Sequence, residues 1–165
     1  MDFWATFLGA AFGVIAGAGI QYFVQLGIGR HNRKLMISDL SKEARYNLGV
    51  AQDMLREVDR FRAAAQPDTL ATYNWYFRSK DMLGTVLNRV INEGQLYRMC
   101  TEREITEIQQ LRQFFDPQFE TNFISTRINQ AKEAKDIAGA HQFANFLDAE
   151  VKKGIATLTS LANKK

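Results

Sequence analysis

Cysteine occurs once, at Cys100, and proline and histidine twice each in 165 residues, and each scarcity closes off a class of protein. One thiol gives neither an internal disulfide framework nor a thiolate metal cluster. His31 and His141 lie far apart with no cysteine near either, so zinc has no ligand set. With Pro67 and Pro117 the sole prolines, long helices meet few interruptions. No stretch reads as a strand, and repeats, low-complexity tracts and flexible linkers are absent. Neither G-x-x-x-x-G-K nor G-x-S-x-G occurs. Glu102, Glu104, Glu107 and Asp116 fall along one helical segment as a solvated face, because nothing in their spacing isolates two of them in a pocket. Cys100 precedes a helix start, where a thiolate gains stability, yet no general base accompanies it, and it reads as a small core or interface residue. No catalytic residue, cofactor or metal is expected.

The most consequential absence is of charge between Phe3 and Gly29. As a helix this stretch would reach roughly 40 Å, more than the ~30 Å of hydrocarbon in a bilayer. Arg30, His31, Arg33 and Lys34 follow it directly, while Asp2 alone precedes it. A secretory signal peptide would carry positive charge before the apolar run and a small-residue cleavage site after it, the reverse of this order. Residues 1–29 are therefore expected to be a single-pass transmembrane anchor. The basic cluster Arg30, Arg33 and Lys34 places the N-terminus outside and residues 30–165 in the cytoplasm.

Along the anchor every fourth position from Ala5 reads Ala5, Gly9, Gly13, Gly17, Gln21, Gln25, Gly29. Positions four apart stack nearly above one another on a helix, so these residues form one stripe, smooth at its outer half and amide-bearing at its inner half. Gly9, Gly13 and Gly17 would let helix backbones approach closely in lipid, and with one span per chain the partner is another copy. Gln21 and Gln25, the amides of an otherwise apolar span, are the candidates to line a water path.

The chain carries 21 Lys plus Arg against 18 Asp plus Glu, a net charge of +3. That is enough for attraction to an anionic leaflet and too diffuse to announce base-specific nucleic-acid binding. Ile37, Leu40, Ala44, Leu48, Ala51, Leu55 and Val58 keep a three-and-four spacing, which predicts that the anchor helix runs on to about Ala65. Pro67 and Asp68 make a turn. Thr69 to Ser79, dense in Tyr73, Trp75, Tyr76 and Phe77, reads as a short helix or an irregular loop. Asp81 to Asn92 reads as a helix stopped by Gly94, and Thr101 to Glu104 as a capping box opening another that Pro117 ends. Phe119, Phe123, Ile128 and Ala131 continue the pattern. Ile137, Ala140, Ala144, Leu147, Val151, Leu158 and Leu161 form a heptad-like seam, with Gly139 as a break. The expected fold is all-α: one transmembrane helix continuing into a cytoplasmic bundle of about five helices.

HEPN ribonucleases carry an Arg, four to six residues, then His. Lys135 to His141 resembles a degenerate version of that pair, which would lack catalytic power. The opening Met1-Asp2-Phe3-Trp4, running into Gly9-Ala10-Ala11-Phe12-Gly13-Val14, a basic stop and a small helical domain, resembles the single-pass membrane proteins of bacterial defence loci. Those include accessory proteins of RNA-targeting CRISPR systems and membrane effectors switched on by cyclic oligonucleotides. The resemblance implies a homo-oligomeric, pore-forming or membrane-perturbing antiviral effector of the bacterial inner (plasma) membrane. Its implied partners are the lipid bilayer, other copies of itself, and an RNA-guided nuclease complex or a cyclic oligonucleotide. Two alternatives remain. One is a membrane-tethered scaffold recruiting a cytoplasmic partner through Tyr73 to Phe77. The other is a ligand-gated sensor binding an anionic nucleotide through Arg78, Lys80, Arg89, Arg98 and Arg103.

Overall fold

The structure, a computed structural model, describes residues 2–164, with side chains from His31 onward. The anchor readings at Gly9, Gly13, Gly17, Gln21, Gln25 and Arg30 lie outside the residues whose side chains are described; Arg33 and Lys34 are exposed. Among the residues whose side chains are described, His31 onward, no helix is long and apolar enough to cross a membrane.

The described residues are all-α. Helix α1 covers Asp2–Ala64, α2 Thr85–Asn92, α3 Leu96–Met99, α4 Glu102–Phe114, α5 Pro117–Phe119, α6 Thr126–Ala134 and α7 Ile137–Ala162. Residues Asp39–Lys164 form one compact unit and Met1–Ser38 another. Within the larger unit α1 buries Leu40, Ala44, Ala51, Met54 and Val58, and α7 buries Ala140, Ala144, Leu147, Val151 and Leu158, each series at steps of three, four and seven that keep one helix face. The Ser41 hydroxyl donates to the Ala162 carbonyl at 2.5 Å, and Arg62, near the end of α1, pairs with Asp148 in the middle of α7 at 3.5 Å, so these stretches run antiparallel. Burial of each large aliphatic side chain stabilises this seam by roughly 1.5–3 kcal/mol.

Helix α4 opens on the expected capping box. Glu104 N–H donates to the Thr101 hydroxyl at 3.3 Å and Thr101 N–H to the Glu104 carboxylate at 2.8 Å. It packs on α7 where Gly154 leaves room for the Phe115 ring, to which an added Cβ would come within 2.5 Å. The break before α7 falls at Lys135, in the left-handed region with φ 51°, rather than at Gly139. Gly139 instead sits in the first turn of α7, where its N–H meets the Asp136 carboxylate at 2.8 Å. A side chain there would collide with that cap.

The segment between α1 and α2 holds no α-helix or strand, with 3-10 turns at Leu70–Thr72 and Ser79–Asp81. Of the two readings of Thr69 to Ser79 the irregular loop is the one observed, and the helix expected from Asp81 starts at Thr85; the reason lies on α1. Glu43, Asn47 and Glu57 are buried there, at 7%, 7% and 8% exposure. The Glu57 carboxylate accepts from the Tyr73 hydroxyl (2.5 Å) and Tyr76 N–H (3.2 Å). Asp53 pairs with Arg78 at 2.7 Å. The Asn47 amide takes both backbone groups of Leu83, at 2.7 and 2.8 Å. Glu43 accepts from Val86 and Leu87 N–H at 2.8 and 2.9 Å, capping α2 from another helix because its own N-cap, Gly84, has no side chain to do so. Residues 73–87 are thus a strap lying antiparallel along α1. Its backbone groups find partners in side chains rather than in a helix.

Candidate binding site

An aromatic ladder crosses the compact unit. Phe61 on α1 meets Tyr73 and Trp75 of the strap at 5.7 and 5.6 Å between ring centroids, and Trp75 stacks on Phe77 at 5.4 Å. Phe77 reaches Phe114 and Phe115 of α4 at 6.0 and 6.3 Å. Phe114 contacts Phe119, which stacks on Phe123 at 4.9 Å. Phe123 then meets Phe143 and Phe146 of α7 at 6.0 and 6.2 Å. Contacts of this kind add about 0.5–1.5 kcal/mol each beyond area burial.

The ladder changes character along its length. Phe61 and Phe77 are buried, whereas Phe119, Phe123 and Phe143 are half-buried and Phe146 is 41% exposed. The exposed end depends on local backbone. Asp116 caps α5 by accepting from Gln118 N–H at 2.7 Å, with Pro117 in the first turn. The chain then widens into a π turn over Glu120–Ser125 before α6, a local form that costs hydrogen-bond geometry and concentrates at functional sites. Phe123 belongs to that turn.

These rings floor an open groove of about 570 Å³, walled by Arg127, Gln130 and Ala131 of α6 and by Gln142, Phe143 and Phe146 of α7. Shallower hollows continue it past Gln113, Gln118, Phe119 and Asn122, and past Gln110, Phe114 and Glu150. The rim is close to neutral, with Arg127 and Lys153 set against Asp116, Asp136 and Glu150. Its side-chain amides, at Gln110, Gln113, Gln118, Asn122, Gln130 and Gln142, make no hydrogen bond to another described residue. An apolar floor with unengaged amide donors and acceptors around it matches a chain that presents apolar side chains and free peptide groups.

The residues singled out from sequence fall elsewhere. Phe77 is 1% exposed, and Tyr73 is held by Glu57 with its phenol pushed well above the usual range by burial and that carboxylate. Of the four aromatics of Tyr73 to Phe77, Tyr76 alone is largely exposed, at 54%, with the Lys80 ammonium 5.4 Å over its ring. The cations proposed for an anionic ligand do not converge. Arg78 lies between Asp53 and Asp81, Arg89 faces Asp39 at 3.9 Å and Arg103 pairs with Glu107 at 2.8 Å. Lys135 and His141 are both exposed, one in the turn after α6 and the other early in α7, and neither side chain bonds to another described residue. Cys100 is half-buried, and burial pushes its thiol up, away from the reactive thiolate. Glu104 is not simply solvated: Lys164 at 2.7 Å, then Thr101, hold its carboxyl below the usual range.

Phe143 and Phe146 escaped the sequence reading although a signal existed. They stand off the Ala140, Ala144, Leu147 seam, so a helix buried along that seam carries two large rings on its flank. Compared with family models, curated proteins and solved structures, the chain matches none.

Proposed function

We propose that this chain is a membrane-tethered binding module: an N-terminal span fixes it in a bilayer and gathers copies, and the helical unit holds a protein segment in the aromatic groove. The observation that carries the reading is the uncharged stretch Phe3 to Gly29 closed by Arg30, Arg33 and Lys34. The groove supports the binding half, because its phenylalanines and free amides are chemistry for holding a chain. The strap aromatics Trp75 and Phe77 serve the interior instead.

Pelleting of the full-length chain with membranes after alkaline carbonate tests the tether, and an impermeant thiol reagent on intact cells tests the side on which the helical unit lies. Resistance to extraction and a protected C-terminal reporter are expected. Release into the supernatant would end the tether reading. A photo-crosslinker at Phe146 should capture a protein that one at Arg60 does not, and Phe123→Ala should abolish that capture.

A second reading has its own support. Gln21 and Gln25 sit one turn apart in line with Gly9, Gly13 and Gly17, so an assembled ring of spans would place amides around an axis. The protein would then be a membrane-perturbing effector of bacterial antiviral defence. Dye leakage from vesicles that stops in the Gln21→Leu, Gln25→Leu double variant, with particle size unchanged, is the result this reading requires.

A further inference from the structure

One end of the compact unit gathers several termini. Arg89 of α2 faces Asp39, Glu43 caps α2, the end of α7 meets Ser41 and Arg45, and Lys164 bonds the Met99 carbonyl at the end of α3 at 3.0 Å. This end exposes Tyr97, at 72% the most exposed large apolar residue described, and Leu83 at 47%. Around them Lys42, Arg45, Arg89 and Arg98 are exposed, against Asp39 and Glu93. Lys164 and Glu104 neutralise one another at 2.7 Å, and the Glu43 carboxylate is engaged by the α2 amides. The Glu43 carboxylate keeps its charge when neutral amides bond it. The face therefore sets Lys42, Arg45, Arg89 and Arg98 against Asp39, Glu43 and Glu93, a small positive excess beside a tyrosine and a leucine. Tyrosine favours the headgroup layer of a membrane and arginine its anionic phosphates.

Chain length adds a constraint. Whatever path residues 30–38 take, they cannot separate Asp39 from Gly29 by more than about 35 Å. If Gly29 ends a membrane span, Asp39 lies within that distance of the span's end.

We propose that the end bearing Leu83, Arg89, Tyr97 and Arg98 docks on the headgroup layer of anionic phospholipid. This rests on the membrane-tether reading. Docking would hold the helical unit in one orientation to the bilayer. The groove, built from α4 to α7 around Phe123 and Phe146, is separate from this patch.

The test uses the full-length chain in vesicles of phosphatidylcholine, with and without phosphatidylglycerol. The patch position is Tyr97→Cys in a Cys100→Ser background, labelled with an environment-sensitive dye; Gln142→Cys in the same background is the reference. A nitroxide headgroup lipid should quench the dye at position 97 at least twofold more than at position 142 in phosphatidylglycerol vesicles. That difference should shrink without phosphatidylglycerol and in the Arg89→Glu, Arg98→Glu variant. Equal quenching at the two positions while the chain still pellets after carbonate overturns the docking and leaves the tether standing. Loss of pelleting overturns both. A dye at position 97 that responds to a single-stranded oligonucleotide and not to vesicles assigns the patch to nucleic acid and also overturns it.

Discussion

Helix α1 carries two rows of buried residues that do opposite jobs. Leu40, Ala44, Ala51, Met54 and Val58 bury apolar surface, whereas Glu43, Asn47 and Glu57 bury polar atoms to hold a strap with little helix of its own. An apolar row is non-directional and tolerates exchange of one aliphatic residue for another. A polar row works atom by atom, and losing one partner strands the other in low dielectric. The two rows should therefore fail in different ways.

The largest effect is expected on the apolar row. Leu40→Ala should cost roughly 2–5 kcal/mol through lost burial and a cavity, seen as a lower midpoint in denaturant with an unchanged slope. Leu40→Met should recover most of it. Next comes Asn47→Ala, which strands the N–H and carbonyl of Leu83 and should cost about 1–3 kcal/mol. Asn47→Leu, which adds apolar volume, should do no better, and a rescue by leucine would show that the row acts by burial after all.

Smaller again is Glu43→Ala. Uncapping α2 should cost about 1 kcal/mol, and Glu43→Gln should retain part of the cap, by circular dichroism melts.

The smallest effect concerns Glu120, which accepts from Ser79 N–H at 3.2 Å and ties the π turn to the strap. Burial raises its carboxyl above the usual range, outweighing the opposing influence of Ser79 and Lys80; Asp81 adds to the rise. A carboxyl raised in the folded state contributes stability that is complete below its unfolded pKa of about 4.3 and lost as pH rises through the folded value. Glu120→Gln should raise the melting temperature slightly at pH 7 and leave it unchanged at pH 4. Equal effects at both pH values would show that the carboxyl bears no burial cost.

What was legible in the sequence follows the same division. The steps of four and seven through Leu40, Ala44, Ala51 and Val58, the α7 seam and the Thr101 box all announce themselves locally, and the all-α fold came with them. Glu43, Asn47 and Glu57 did not, because a polar residue on a helix reads as solvated until a distant segment is known to lie over it. Leu48 and Leu55 were expected inside and are only half-buried, since Asn47 and Met54 occupy the buried positions beside them. The groove was hidden for a related reason. Phe119 and Phe123 look like core by spacing, and only the π turn and the capped start of α7 leave them open to Phe143 and Phe146.

Hydrogen exchange on the full-length chain in a bilayer tests the pinned strap most directly, because the amides of Tyr76, Leu83, Val86 and Leu87 donate to side chains of α1. These amides should exchange as slowly as those of α4, and Asn47→Ala should release Leu83 while α7 stays protected. Exchange of all four at the rate of an open loop in the wild-type chain would contradict a pinned strap.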